Sequence, residues 1–286
     1  MDSPLTEGAL EVICKLPNLR ELSVFIKGNT LLPTLVLPNL TGLSIKHAHN
    51  GDWLKGFRGA TLGKVETITF LSGSEQIGDF LERFERVALA TSIQNTLSGF
   101  FIYTSCAWNP NYSSLLSFTQ LATLVINSSC DNGCSSTVDD DIITILARAM
   151  PRLECLELGY PCGERSTGIT VKGLAILAHH CLDLSSLSVH FQVDSLSDPP
   201  VVDVVPSTAG SATLRRSCAL RGLDSGEMSL ATELVPTVAL TLVFIFPHIE
   251  RIYFANDGWE KVMKAIRHSR RIVNYSSKKH SLHTSN

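Results

Sequence analysis

The sequence predicts an α/β solenoid, a curved parallel sheet with helices and irregular turns on its convex side. One frame, apolar-x-x-apolar-x-apolar, recurs nine times between Leu19 and Phe254, with first positions 21 to 36 residues apart and a mean spacing of about 29. The last three positions alternate apolar and polar residues, as in a strand with one buried face. Because so short a unit cannot bury its apolar face alone, the repetition predicts one elongated domain.

The nine copies differ in the length of chain between them but keep the same frame. Their first positions are Leu19, Leu40, Val65, Leu97, Leu121, Leu153, Leu184, Leu220 and Ile249. The eighth copy is degenerate, since Ser225 occupies its last apolar position. Frame and spacing are typical of leucine-rich repeats, at the upper end of their length range. We therefore expect about nine repeats, each contributing one strand.

Helical periodicity is present in several of the connecting segments. The clearest is 139–150, where three aspartates precede the apolar positions and complement the positive end of the helix dipole. Pro151 ends this helix just before the next strand. Similar patterns predict helices at 5–13, 79–92, 170–180 and 234–246.

Two parts of the chain lack this rhythm. Residues 192–212 are rich in Pro, Ser and Asp and predict a loop excursion from a solenoid spanning 1–275. Residues 276–286 predict a disordered polar tail. No polar cap precedes the first strand, so we expect this chain to be the C-terminal portion of something longer, or to lack its partner module.

Composition excludes several classes of protein. A hydrophobic content of 44% with 18% charged residues is typical of a folded core, and the net charge of −3 gives no field favouring nucleic acid or an anionic membrane. The longest apolar stretch, 235–246, is too short to span a bilayer. The N-terminus has no signal-peptide pattern. Eight cysteines in a chain of this length predict no disulfide scaffold, so we expect an intracellular location, in cytoplasm or nucleus.

No pattern predicts catalysis, a metal site or a cofactor. Cys130 and Cys134 form half of a zinc-ligand pattern, but no second pair lies at suitable spacing. His179 and His180 favour the negative end of a helix dipole, and Cys181 belongs to the repeat frame. The chain has no Gly-rich phosphate loop, nucleophile elbow or zinc-protease motif. We predict a protein that is not an enzyme.

The polar positions of the repeat frame predict a partner-binding surface on the concave face of the sheet. Side chains there alternate with the buried apolar positions. The residues predicted to contact a partner are Phe25, Lys46, Phe101, Tyr103, Glu157, His190, Arg251 and Tyr253. Two of them, Phe101 and Tyr103, place aromatic rings near the middle of the surface, as anchors of protein interfaces do. The alternative is that a loop or the curvature of the stack covers these rings.

Two stretches resemble the repeats of F-box leucine-rich-repeat proteins: MPRLECLELG at 150–159 and ILAHHCLDLSSLSVHF at 176–191. In that family a helix ends in Cys and x-x-L-x-x-L-x-L follows, a pattern filled here by Cys181, Leu184, Leu187 and Val189. The stretch from Ala219 to Val262 is similar to the C-terminal end of F-box-type proteins of filamentous fungi. The family's F-box docks on a Skp-type adaptor of a ubiquitin ligase, and no stretch of this sequence matches it.

The expected function is binding of a protein partner through the concave sheet or the loop at 192–212, as the substrate-recognition part of an F-box-type ubiquitin-ligase receptor. A Skp-type adaptor is expected only if an F-box lies upstream, and no membrane is expected as a partner. One alternative is an interaction scaffold independent of ubiquitin. Another is a nucleic-acid binder using the basic cluster at 267–280, although such clusters are more often solvated helix ends.

Overall fold

One parallel sheet runs through the molecule. The computed structural model describes residues 6–26, 36–47, 62–72, 77–104, 111–128, 138–158, 168–192, 218–224, 230–253 and 257–283. Nine strands in these residues pair in chain order, every neighbouring pair parallel. They are β1 Glu21–Ile26, β2 Gly42–His47, β3 Thr67–Ser72, β4 Gly99–Thr104, β5 Thr123–Ser128, β6 Cys155–Leu158, β7 Ser186–Ser188, β8 Gly222–Asp224 and β9 Arg251–Tyr253.

The predicted α/β architecture with one continuous sheet is confirmed. Strand β7 pairs directly with β8, so the sheet is unbroken across the predicted excursion at 192–212. Most of that excursion lies outside the described residues, as do Cys130 and Cys134. The strands shorten along the chain, from six residues in β1 to three in β9, which is shorter than the sequence pattern suggests.

The apolar frame lines the inner face of the sheet in straight columns. In one column Leu22 pairs with Leu43, and the column continues through Phe100 and Leu156 to Ile252. All five side chains are buried. A parallel in-register sheet places equivalent frame positions side by side, so each repeat packs on the same positions of its neighbours.

A second regularity lies at the edge where the strands begin. In each step one carbonyl accepts hydrogen bonds from two consecutive N–H groups of the next repeat. The first example is the Arg20 carbonyl, which lies 2.7 Å from Thr41 N and 3.0 Å from Gly42 N. The same arrangement recurs at the carbonyls of Thr41, Glu66, Ser98, Ala122, Glu154, Ser185 and Arg221. This ladder satisfies the backbone where each strand enters the sheet.

Helices cover the inner face. They are α1 Glu7–Ile13, α2 Ile77–Thr91, α3 Asp140–Ala149, α4 Val171–His180, α5 Val235–Ile245 and α6 Asp257–His283. The first five lie where the sequence predicts helices. The Asp139 side chain accepts a hydrogen bond from Ile142 N at 2.9 Å and caps α3, as the aspartate run predicts.

Helix α6 was not predicted from the sequence. It contacts β9 and α5, and buries Trp259, Val262, Met263 and Ile266 on one side. It closes the C-terminal end of the stack, where an uncovered last repeat would expose its apolar face. The helix extends to His283 and so includes most of the segment 276–286, whose disorder stays a prediction.

An aromatic core lies beneath β3 to β5. Phe84 of α2 stacks on Phe100 at a centroid distance of 4.9 Å and on Phe118 at 5.6 Å. Phe70 meets Phe80 edge-on at 4.6 Å. All five rings are buried. The middle of the sheet therefore packs on a cluster of buried aromatic rings.

Candidate partner-binding face

The outer face of the sheet, here called the open face, carries three columns of side chains that alternate with the buried ones. The middle column runs Ser23, Ser44, Thr69, Phe101, Val125, Glu157, Ser188, Asp224 and Tyr253. One flanking column contains Phe25, Lys46, Leu71, Tyr103 and Asn127. The other includes Glu21, Thr67, Cys155, Ser186 and Arg251. The columns are those expected from strand alternation.

The central patch of this face consists of Phe101, Tyr103, Val125, Asn127 and Glu157. Phe101 is half-buried, and Tyr103 is 38% exposed. Val125, between Phe101 and Glu157 in the register, is only 4% exposed although it lies on the open face. Asn127 Nδ2 donates a hydrogen bond to Glu157 Oε1 at 3.1 Å. The patch thus has an apolar centre and a polar border, as protein interfaces commonly have.

The Phe101 ring packs against the backbone of its own strand. A Cβ atom on Gly99 would lie 3.1 Å from Phe101 Cε2 and 3.5 Å from Thr67 Cγ2. The ring therefore lies over Gly99, where any larger residue would push it outward. An aromatic side chain covering a strand glycine loses little further entropy when a partner packs on it.

Electrostatics around Tyr103 and Cys155 keep both groups neutral. Partial burial, followed by the repulsion that an ionised Tyr103 would meet from Glu157 and from a Cys155 thiolate, raises the pKa of the Tyr103 hydroxyl above its ordinary value. Burial also raises the pKa of the Cys155 thiol, against the opposite effect of its hydrogen bond with Ser186. A thiol with a raised pKa is a poor nucleophile, whereas a protonated phenol donates a hydrogen bond. The protonated Tyr103 hydroxyl is therefore a hydrogen-bond donor at the border of the patch.

The eight residues predicted to contact a partner do not form one cluster. Phe101, Tyr103 and Glu157 lie together on β4 and β6, whereas Phe25 and Lys46 lie on β1 and β2. Arg251 and Tyr253 are on β9 at the other end of the sheet. At about 4.8 Å per strand the two ends are roughly 38 Å apart. His190 follows β7 and is half-buried.

The sequence analysis predicted Glu157 as a site residue but missed its pairing with Asn127, and it missed a cavity. The Asn127–Glu157 pair joins residues 30 positions apart. Aligning the fifth and sixth copies of the frame would have placed the two residues on neighbouring strands and on the same face of the sheet. A polar cavity at the strand-entry edge, lined by Asn18, Arg20, Asn39, Thr41 and Lys64, was also missed. Its signal is the repeated Pro-Asn-Leu at 17–19 and 38–40.

Exposed apolar side chains also occur on the convex side. Leu240 and Phe244 are one turn apart on α5 and are 63% and 73% exposed. Their exposure exceeds that of Tyr103, but they lie on a helix and not on the open face of the sheet. Phe244 is therefore an exposed aromatic residue outside the open face, with which substitutions of Phe101 and Tyr103 can be compared.

The described residues hold no group of three or more His, Cys, Asp and Glu that could hold a metal ion. Within the same part of the chain, no helix combines the length and apolar content needed to cross a bilayer. His179 and His180 lie in the last turn of α4 with ring centroids 4.9 Å apart. Comparison of the sequence with protein-family models and with curated proteins finds no match in either set.

Proposed function

We propose that this chain is a leucine-rich-repeat solenoid that binds a protein partner through the open face of its sheet. The observation that carries the proposal is the central patch, where Phe101 and Tyr103 stand on a rigid base within a polar border. Aromatic residues at the centre of a surface commonly supply most of the binding free energy of a protein interface.

The repeat type is supported by two independent regularities. The apolar frame occupies equivalent inner positions in neighbouring strands, and the carbonyl ladder repeats at all eight steps between the nine described strands. Both regularities are what a stack of equivalent short units produces. We infer the leucine-rich class from these and from the frame spacing of about 29 residues.

A partner would contact the central patch with an apolar group against the Phe101 and Tyr103 rings. The Tyr103 hydroxyl can donate a hydrogen bond, and the Glu157 carboxylate and Asn127 amide can accept or donate at the border. Since the Phe101 ring already packs over Gly99, binding would cost it little side-chain entropy. We propose no catalytic role, because the neutral Cys155 and Tyr103 are suited to packing and hydrogen bonding.

The biological role that we propose is substrate recognition for an F-box-type ubiquitin ligase, on the strength of the resemblance at 150–159 and 176–191. Engagement of a Skp-type adaptor requires an F-box upstream of these repeats. A scaffold independent of ubiquitin would use the same face. The sequence of the gene upstream of Met1 separates the two roles, because an F-box there supports the ligase role and its absence supports the scaffold.

The test is affinity capture followed by quantitative binding. A partner that co-purifies with the wild-type chain is identified and its affinity is measured for Phe101→Ala and Tyr103→Ala. Each substitution is expected to weaken binding by about 2 kcal/mol, which is roughly thirtyfold, while the melting temperature changes little.

The matched control is Phe244→Ala, which removes a more exposed ring from the convex side and should leave affinity unchanged. Deletion of 276–286 should also leave capture intact, with only mild dependence on salt. Full binding by both open-face variants would contradict the proposal. Loss on deleting 276–286, together with a steep salt dependence, would instead indicate nucleic-acid binding.

A further inference from the structure

The strand-entry edge of β1 to β3 contains an open cavity with a volume of about 360 Å³. That volume is near the lower end of the roughly 300–1,000 Å³ usual for small-molecule sites. Its lining residues all carry side chains that can donate a hydrogen bond. They are Asn18, Arg20, Asn39, Thr41 and Lys64. A cavity rich in donors favours a ligand rich in acceptors.

Hydrogen bonds between repeats hold these side chains in place. Asn39 Nδ2 donates to the Pro17 carbonyl at 2.8 Å, and Lys64 Nζ donates to Asn39 Oδ1 at the same distance. Thr41 Oγ1 donates to the Arg20 carbonyl at 3.1 Å. One amide thus connects the first repeat to the third and fixes the Lys64 ammonium at the cavity. That ammonium has two further N–H groups, and the Arg20 guanidinium has five.

The cavity concentrates positive charge. Arg20 and Lys64 both line it, and neither forms an ion pair within the part of the chain that the structure describes. Glu21 and Glu66 are close in sequence, but neither lines the cavity. The Glu21 side chain lies instead on the open face, where its Cγ is 3.4 Å from the position of a Cβ on Gly42. Among the described residues no carboxylate lines the cavity, and its two cations match a dianion.

We propose that this cavity binds a phosphate monoester. A monoester carries a charge of about −1.5 to −2 near pH 7 and several acceptor oxygens. The planar guanidinium of Arg20 can grip two of these oxygens, while Lys64 supplies a compact second charge. The amide of Asn18 can donate to a remaining oxygen. This site goes beyond partner binding on the open face, since it lies at the sheet edge and shares no residue with the central patch.

The experiment is a ligand-observed NMR titration of the full chain with phenyl phosphate at constant ionic strength. Dimethyl phosphate and acetate serve as the diester and carboxylate probes. Phenyl phosphate is expected to bind tightest, because only a dianion satisfies both cations. Arg20→Gln and Lys64→Gln should each weaken its binding by about tenfold, and Lys64→Arg should retain affinity within about threefold.

Matched controls come from the repeats themselves. Arg221 occupies the Arg20 position in the eighth copy, and Arg152 occupies the Lys64 position in the sixth. Arg221→Gln and Arg152→Gln should leave phenyl phosphate binding unchanged. Melting curves verify that each variant is folded, and Lys64→Arg keeps the test valid if a glutamine variant unfolds.

Three outcomes would overturn the proposal. They are equal binding of acetate or dimethyl phosphate, unchanged binding by the Arg20 and Lys64 variants, and equal weakening by the control variants. Equal weakening by the control variants would mean that the affinity for phenyl phosphate depends on the net charge of the protein and not on the cavity. The result is independent of the open-face test, because the two sets of variants do not overlap.

Discussion

The two faces of the sheet obey different constraints although the same strands build both. On the inner face Leu124, Leu156 and Leu187 are equivalent residues of three repeats, all leucine and all buried. On the open face the adjacent register positions are Val125, Glu157 and Ser188. Packing between repeats demands the same kind of side chain at every step of the inner face. The open face is free of that demand, so its side chains can vary without loss of the fold.

The largest expected effect tests this contrast directly. Leu156→Ala or Leu187→Ala should lower the free energy of unfolding by about 2–5 kcal/mol, because each leaves a cavity in a packed core. Ser186→Ala, on the open face beside Leu187, should change it by roughly 0.5 kcal/mol or less. Chemical denaturation measures both. Equal destabilisation by the two kinds of substitution would mean that the faces are assigned wrongly.

A smaller effect concerns the way α3 and α4 are joined on the convex side. Asp140 Oδ1 accepts hydrogen bonds from Thr170 N at 2.8 Å and Gly173 N at 3.1 Å, so a residue of α3 caps α4. A Cβ on Gly173 would lie 2.4 Å from that oxygen. Gly173→Ala should therefore destabilise by about 1–3 kcal/mol, although helix propensity alone predicts a gain of about 1 kcal/mol.

The control for this prediction is Gly8→Ala in α1. A Cβ on Gly8 would meet nothing within 4 Å, so stability should stay the same or rise by up to about 1 kcal/mol. Thermal or denaturant unfolding distinguishes the two substitutions. A stabilising Gly173→Ala would show that the contact with Asp140 is dispensable.

The smallest expected effect is a pH dependence at the end of α4. Burial, followed by the nearby His179 and Arg148, lowers the pKa of His180 below its ordinary value. As pH falls below about 6.5, His180 takes up a proton in the unfolded chain before it does so in the folded one. The free energy of unfolding therefore decreases on acidification, until pH reaches the lower pKa of His180 in the folded state. Above about 6.5 both states are neutral and this contribution is constant.

His180→Gln should therefore reduce the drop in melting temperature between pH 7 and pH 5. His268→Gln, which alters an exposed histidine on α6, is the comparison for a general effect of charge. If His180→Gln retains the full wild-type drop, partial burial of this imidazole does not contribute to acid sensitivity.

Helix ends could be predicted closely from the sequence, because their signals are local. Asp139 and Thr170 cap α3 and α4, and α3 spans Asp140–Ala149 where a helix over 139–150 was predicted. Helix α6 was missed even though Trp259, Val262, Met263 and Ile266 follow helical spacing. The basic residues of α6 favoured an interpretation based on charge. The role of its apolar side is evident only from the structure, where the last repeat needs a helix to cover its apolar face.

The sequence by itself determined which residues face inward, since a two-residue alternation within a strand needs no knowledge of the neighbours. The tertiary structure decided which outward residues meet. Strand spacings of 21 to 36 residues separate Asn127 from Glu157 and Asn39 from Lys64, and nothing local relates the members of either pair. The parallel register brings each pair together, because side chains one strand apart are about 4.8 Å from each other whatever the length of chain between them.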